Sequence, residues 1–122
     1  MPYRLERHEH ISIVRWQGCF DLAAGRQVIH LLWSDGQFTN PYVLLDWRAG
    51  ENGLRSGDLT LIADFMRRFM HQRHYGRIAY LVRPEYVAMA HWMRRAMHGA
   101  PFELKVFTDE EPALEWLEAF LA

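Results

Sequence analysis

An α/β domain built on a five-stranded mixed sheet is the fold class this 122-residue sequence predicts, and three observations predict it. Short apolar runs without alternation, such as Tyr42-Val43-Leu44-Leu45 and Ile78-Ala79-Tyr80-Leu81-Val82, suit strands buried on both faces. Longer segments with apolar residues at helical spacing separate these runs. Each is long enough to be a crossover that returns the chain parallel to its last strand. A single domain over residues 1–122 follows from the length, which suffices to bury about two thirds of the unfolded surface in one core.

Tyr3 to Arg7 and Ile11 to Gln17 read as strands, rich in β-branched and aromatic residues, and His8-Glu9-His10 between them suits a tight antiparallel hairpin. Asp21 is placed to cap a helix carrying Leu22, Ala24, Val28, Ile29, Leu32 and Trp33, which ends at the Ser34-Asp35-Gly36 turn cluster. Pro41 to Trp47 is a short strand, followed by a loop containing Gly50 and Gly53, read as turn glycines. From Gly57 to about His74, Leu59, Ile62, Ala63, Met66, Phe69 and Met70 form an apolar stripe. Arg77 to Arg83 is a buried-type strand, Glu85 to His98 an amphipathic helix, and Phe102 to Phe107 a last strand. Thr108-Asp109-Glu110-Glu111 has the form of a capping box for a final helix that carries Ala113, Leu114, Trp116, Leu117, Phe120 and Leu121. The order is β-β-α-β-α-β-α-β-α, an antiparallel hairpin leading into largely parallel strands with four flanking helices.

Half the residues are apolar and 14% are aromatic, far from the composition of a disordered chain. The longest apolar run spans only Ile78 to Val82, and the amino terminus lacks a signal-peptide core. No transmembrane segment and a cytoplasmic location are therefore expected. Cys19 is the single cysteine, so disulfide and cysteine-rich metal frameworks within one chain are excluded. It reads as a small buried apolar residue. A net charge of −1 gives no basic field for nucleic acid. Charge is nonetheless polarised: seven arginines oppose Glu85 between Arg67 and His98, and six acids oppose Lys105 from Gly99 onward.

The strongest catalytic and phosphate-binding motifs are absent from the sequence, and no cofactor is implied. Ligands of open α/β sheets favour the carboxyl ends of parallel strands, which directs attention to Asp46, Trp47 and Arg48, to Arg83 and Pro84, and to Thr108 and Asp109. Strand alternation puts Asp46 and Arg48 on one face, able to pair, with Trp47 on the other. Ser56 reads first as the N-cap of the helix it precedes, its oxygen accepting from the amide of Asp58 or Leu59. A phosphate on that hydroxyl would lie at a helix amino end, a favourable place for an anion. Arg67 and Arg68 (with Arg73), and Arg94 and Arg95 (with His91 and His98), form polar stripes that read as solvated faces or as an anion- or partner-binding surface. The His71-x-x-His74 and His8-x-His10 spacings lack an evident third ligand, so no metal site is expected.

The element order, the strand end Leu44-Leu45-Asp46-Trp47-Arg48, the helix start Ser56-Gly57-Asp58-Leu59, the strand Arg77 to Val82, and the ending Val106-Phe107-Thr108-Asp109-Glu110-Glu111-Pro112-Ala113-Leu114 together resemble the bacterial STAS-like, SpoIIAA-like family. The resemblance covers nearly the whole chain. It implies an α/β sandwich related to anti-sigma-factor antagonists and to the carboxyl-terminal lobes of lipid-transfer domains, without an established enzyme activity. It also implies a place for a phosphorylated serine, which Ser56 occupies, although Arg55 stands where antagonists carry an aspartate and the loop from Asp46 is longer. The lipid-binding relatives imply an apolar cleft, for which Trp33, Trp47, Phe65, Met89 and Trp92 are candidate walls. The reading is a non-enzymatic regulatory module that binds an unknown protein partner or a small apolar or amphipathic ligand through Asp46, Trp47, Arg48, Ser56 and Arg83. A Ser56 phospho-switch and an uncharacterised hydrolase or transferase are the alternatives, and a homodimer is the default assembly.

Overall fold

In the computed structural model the structure describes residues 3–33, 40–71 and 75–119. The Ser34-Asp35-Gly36 turn, Arg73, His74, Phe120 and Leu121 lie outside them. The elements are β1 (Tyr3–Arg7), β2 (Ile11–Phe20), α1 (Leu22–Trp33), β3 (Tyr42–Asn52), α2 (Asp58–Phe69), β4 (Arg77–Leu81), a 3-10 turn (Pro84–Tyr86), α3 (Val87–Ala96), β5 (Glu103–Phe107) and α4 (Glu110–Glu118). The strands stand in sequence order, with β1 antiparallel to β2 and all later pairs parallel. The predicted order and the mixed sheet are both present.

This topology dictates the layers. Crossovers of one hand that step in one direction across a sheet place their helices on one face. Accordingly α1, α2 and α3 bury Val28, Ile62, Ala90 and Met93 against Val14, Leu45 and Tyr80. After β5 no further strand follows among the described residues, and α4 covers the opposite face, where Ala113 and Leu117 are fully buried on Ile13, Leu44 and Leu81. With both faces covered, each central strand divides by parity: Val43 and Leu45 face the three-helix layer, Tyr42 and Leu44 face α4. The absence of alternation in the sequence has this as its cause.

Two strands run further than the sequence reading gave them. β2 continues to Phe20 and β3 to Asn52, pairing Gln17↔Ala49 through Phe20↔Asn52 beyond the point where β4 stops. The glycines that suggested a loop permit close backbone approach here. Gly50 packs under the Trp16 ring, and a Cβ at Gly53 would lie 2.2 Å from Cys19 Sγ. Neither glycine has positive φ, so the turn-glycine reading is corrected. Cys19, expected to be buried, is exposed on this two-stranded extension. Between Arg15 and Gln17 the register slips, because Trp47 and Arg48 of β3 together oppose Trp16 of β2, a β-bulge.

The helix starts test the capping readings. The Asp21 carboxylate accepts from the Ala24 amide at 2.9 Å, as its N-cap position predicts. Ser56 is not the cap of α2. Gly57 holds that position at φ 87°, a conformation glycine enters without Cβ strain, and no side-chain cap bond forms. The turn is instead closed by Asp58, whose carboxylate accepts from the Arg55 amide at 2.7 Å. Thr108 likewise does not cap α4, since Asp109 precedes the helix without a side-chain cap bond. α3 begins at Val87 rather than Glu85, because Arg83 is extended before Pro84 and the first turn is 3-10.

Candidate functional site

β3 supplies opposite faces of the sheet with two different environments. On the three-helix side lies a cavity of about 110 Å³, walled by Leu45, Trp47 and Gly50 of β3, Tyr80 and Val82 around β4, and apolar side chains of α1, α2 and α3. Trp47 anchors it: its ring lies 4.5 Å from Phe20, 6.2 Å from Trp16 and 6.4 Å from Tyr80, centroid to centroid. These separations fall in the range where tilted and edge-to-face aromatic pairs attract. Among the lining residues the charged one is Glu51, exposed at the end of the β3 extension beside Asn52.

Of the expected wall residues, Trp47 and Met89 line this cavity. Trp33, Phe65 and Trp92 do not. Trp33 packs on Tyr75 and Phe102, Phe65 meets His30 edge-on and Phe69 at a tilt, and Trp92 is an exposed residue of α3. Sequence reasoning missed Tyr80, Phe20, Met66 and Met93 as walls. Met89 and Met93, one turn apart on α3, are the pattern that could have pointed to it.

Tyr80 is 8% exposed, and its hydroxyl makes no hydrogen bond to any described residue. That oxygen is not among the buried polar atoms sealed from solvent, and Tyr80 is one of the residues that line the cavity. Burial pushes the phenol well above its usual range, so it stays neutral.

On the α4 side Asp46 and Arg48 do pair, as alternation suggested, but within a larger cluster. Arg48 donates from its backbone amide and from Nε to Asp46 Oδ1, each at 3.0 Å. Arg15 of β2 donates to Asp46 Oδ2 at 2.8 Å and to Glu110 Oε1 at 2.6 Å, and also pairs with Glu6 of β1. Arg48 reaches Glu110 as well, at 3.1 Å. Burial would raise the Asp46 pKa, yet the hydrogen bonds from Arg48 and then Arg15 outweigh it and hold the carboxyl below its ordinary value. Arg15 does the same for Glu110 and Glu6. With Arg4, which donates to Glu6 Oε2 at 3.3 Å, three guanidiniums face the three carboxylates of this cluster. The group ties β1, β2, β3 and α4 together and leaves no cation unmatched for a ligand.

The remaining expected site residues separate. Arg83 donates from Nη2 to the Gly50 carbonyl at 3.0 Å and to the Tyr86 hydroxyl at 3.1 Å, clamping the β3 extension to the start of α3. It is a strut of the cavity rim. Ser56 is exposed, outside both the cavity and the cluster. Arg67 donates to the Ala96 carbonyl and Arg94 to the Leu104 carbonyl at 3.2 Å, so each of these arginines satisfies a backbone group. Arg68 and Arg95 are exposed and have no partner among the described residues. The arginine stripes are therefore divided between backbone tethers and solvated charge. Among the described residues no group of three or more His, Cys, Asp and Glu could hold a metal, and no helix is long and apolar enough to cross a membrane.

Comparison with known proteins agrees with this architecture. No curated protein sequence matches the chain. Among solved structures, an uncharacterized protein of the DUF3478 family with a SpoIIAA-like fold, from Shewanella loihica PV-4, superposes with a TM-score of 0.61 at 20% identity, covering 94% of this chain and 91% of that one. An anti-sigma factor antagonist from Mycobacterium paratuberculosis gives a TM-score of 0.58 at 18% identity, covering 95% and 92%. At such identities the likeness establishes the fold. The SpoIIAA-like family model matches residues 11–118, from the first residue of β2 to the last of α4, and the chain belongs to the SpoIIAA-like family.

Proposed function

We propose that this protein is a non-enzymatic regulatory module that holds a small apolar ligand in the cavity between Trp47 and the three-helix layer. The observation that carries the reading is the cavity itself, about 110 Å³ of space lined almost wholly by apolar side chains. Its walls offer no nucleophile with an adjacent base, which supports binding over catalysis. The β3 extension forms one side of the cavity through Gly50, Glu51 and Asn52, so an occupant would rest against a segment that a protein partner can reach. Likeness of fold to an anti-sigma factor antagonist supports a regulatory setting for such a surface.

The test is a toluene titration followed by methyl NMR. Occupancy is expected to shift the methyl signals of Met66, Met89 and Met93, which line the cavity, and to leave Leu117, on the other face of the sheet, unmoved. An unchanged spectrum up to the solubility of toluene would refute the reading.

A second reading has one observation in its favour. The Ser56 hydroxyl is exposed and makes no helix-capping bond, so it is accessible to a kinase, and a phosphate there would stand before the amino end of α2. Mass spectrometry of the protein isolated from its native cells under several growth conditions tests it. Absence of a phosphopeptide spanning Ser56 throughout would remove the switch.

A further inference from the structure

The cavity has a chemical specificity written in its walls. Three methionines, Met66, Met89 and Met93, and four aromatic residues, Phe20, Trp47, Tyr80 and Tyr86, line one space. Sulfur and ring edges both attract an aromatic face beyond the gain from burial alone, which favours a flat ring over an aliphatic chain. The volume of about 110 Å³ is somewhat below the roughly 150 Å³ of an apolar protein cavity that binds benzene. That leaves room for no more than one ring.

Charge and hydrogen bonding narrow the class further. No cation is among the lining residues. An anionic ligand would lose its hydration without a partner. Inside, the Tyr80 hydroxyl has no hydrogen-bond partner among the described residues, although Tyr80 is more than nine-tenths buried. Since that oxygen is not sealed from solvent, an occupant that can bond to it gains the net worth of one hydrogen bond over water.

Resting on the apolar-ligand reading, we propose that the cavity takes a neutral single-ring aromatic molecule bearing one hydrogen-bonding substituent, a phenol or its like, which pairs with the Tyr80 hydroxyl. Tyr80 is the specificity residue. Trp47 and the three methionines hold the ring, and Arg83 fixes the rim through the Gly50 carbonyl without touching the occupant.

Four probes measured calorimetrically on the full chain test this: p-cresol, toluene, methylcyclohexane and 4-methylbenzoate, each with the wild type and with Tyr80→Phe. The expected result is that Tyr80→Phe weakens p-cresol by about threefold to tenfold, the worth of one hydrogen bond, and leaves toluene within about twofold. Toluene should bind more tightly than methylcyclohexane, and 4-methylbenzoate should not bind. Should Tyr80→Phe leave the p-cresol affinity unchanged, or weaken toluene equally, the role of Tyr80 is overturned while the apolar cavity stands. Equal binding of methylcyclohexane and toluene overturns the aromatic preference, and binding of 4-methylbenzoate overturns the neutral class. Wild-type comparisons decide these last two points even if the variant does not fold. Failure of both toluene and p-cresol to bind would bring down the cavity reading itself.

Discussion

Replacing Arg15 with methionine should be among the most damaging single changes on the α4 side of the sheet. Methionine retains part of the apolar stem and removes every donor of the guanidinium. Arg15 is 18% exposed and faces three carboxylates, of which Asp46 is 8% exposed while Glu6 and Glu110 are about a third exposed. Stripping a buried carboxylate of its partner costs about 3–5 kcal/mol. Arg48 stays bound to Asp46, so about half that cost applies, and the two more exposed pairs add about 0.2–1 kcal/mol each. The sum is a loss of about 2–4 kcal/mol, measurable by urea denaturation at neutral pH. Acid supplies the internal control. Folding holds Asp46, Glu6 and Glu110 below their ordinary values of 3.8 and 4.5, so their contribution is present above those values. It drains away as the pH falls through the lower folded-state values. Wild-type stability should therefore drop below about pH 4.5, and the gap to Arg15→Met should close. A gap under about 1 kcal/mol at neutral pH, or one that widens in acid, would refute the reasoning.

The two candidate caps should respond oppositely in thermal melts. Asp21→Ala removes a formed bond to the Ala24 amide and should cost about 1 kcal/mol, whereas Ser56→Ala removes no cap bond and should stay within about 0.5 kcal/mol of wild type. At the α1–α2 contact, a Cβ on Gly25 would lie 2.7 Å from Ile62 Cδ1, so Gly25→Ala should destabilise by about 1–3 kcal/mol despite alanine's better helix propensity. Ile62→Val deletes the Cδ1 atom and should recover part of that loss. A stabilised Gly25→Ala protein would show that the two helices part easily.

What the sequence made legible was what local pattern encodes. Val43-Leu44-Leu45 announces burial on both faces through composition alone, and the helical stripe of α2 announces its buried side through Ile62, Ala63 and Met66. Asp21 is legible as a cap because nothing competes for its carboxylate. Ser56 misleads because Gly57 follows it: one left-handed residue moves the helix start by a position and gives the turn to Asp58. The ionic cluster was half legible. Asp46 and Arg48 are neighbours along one strand, but Arg15 and Glu110 lie 95 residues apart and meet only because β2, β3 and α4 converge. Tyr80 was hidden for a similar reason. Within a strand buried on both faces a tyrosine looks like any other apolar residue, and the state of its hydroxyl depends on residues from three helices.

The bulge at Trp47 and Arg48 explains how one segment serves two faces, and it yields a further prediction. Asp46 faces the ionic cluster and Trp47 the cavity, as ordinary alternation requires. Arg48 and Ala49 then both lie on the cluster side, and Gly50 returns to the cavity. Arg48 is thus the extra residue, because without it Asp46, Trp47, Ala49 and Gly50 alternate regularly against Arg15, Trp16, Gln17 and Gly18. Deleting Arg48 should preserve the downstream register and forfeit, beyond the side-chain contacts that Arg48→Ala also forfeits, only the bond from the Arg48 amide to Asp46. The two variants should agree in stability to within about 1 kcal/mol, and both should retain toluene binding. Deleting Leu45 instead reverses the facing of the residues on one side of it, which should abolish cooperative unfolding. If the Arg48 deletion unfolds while Arg48→Ala folds, the strand needs the bulge for its geometry, and the inserted-residue account of how β3 is shared between the cavity and the cluster fails.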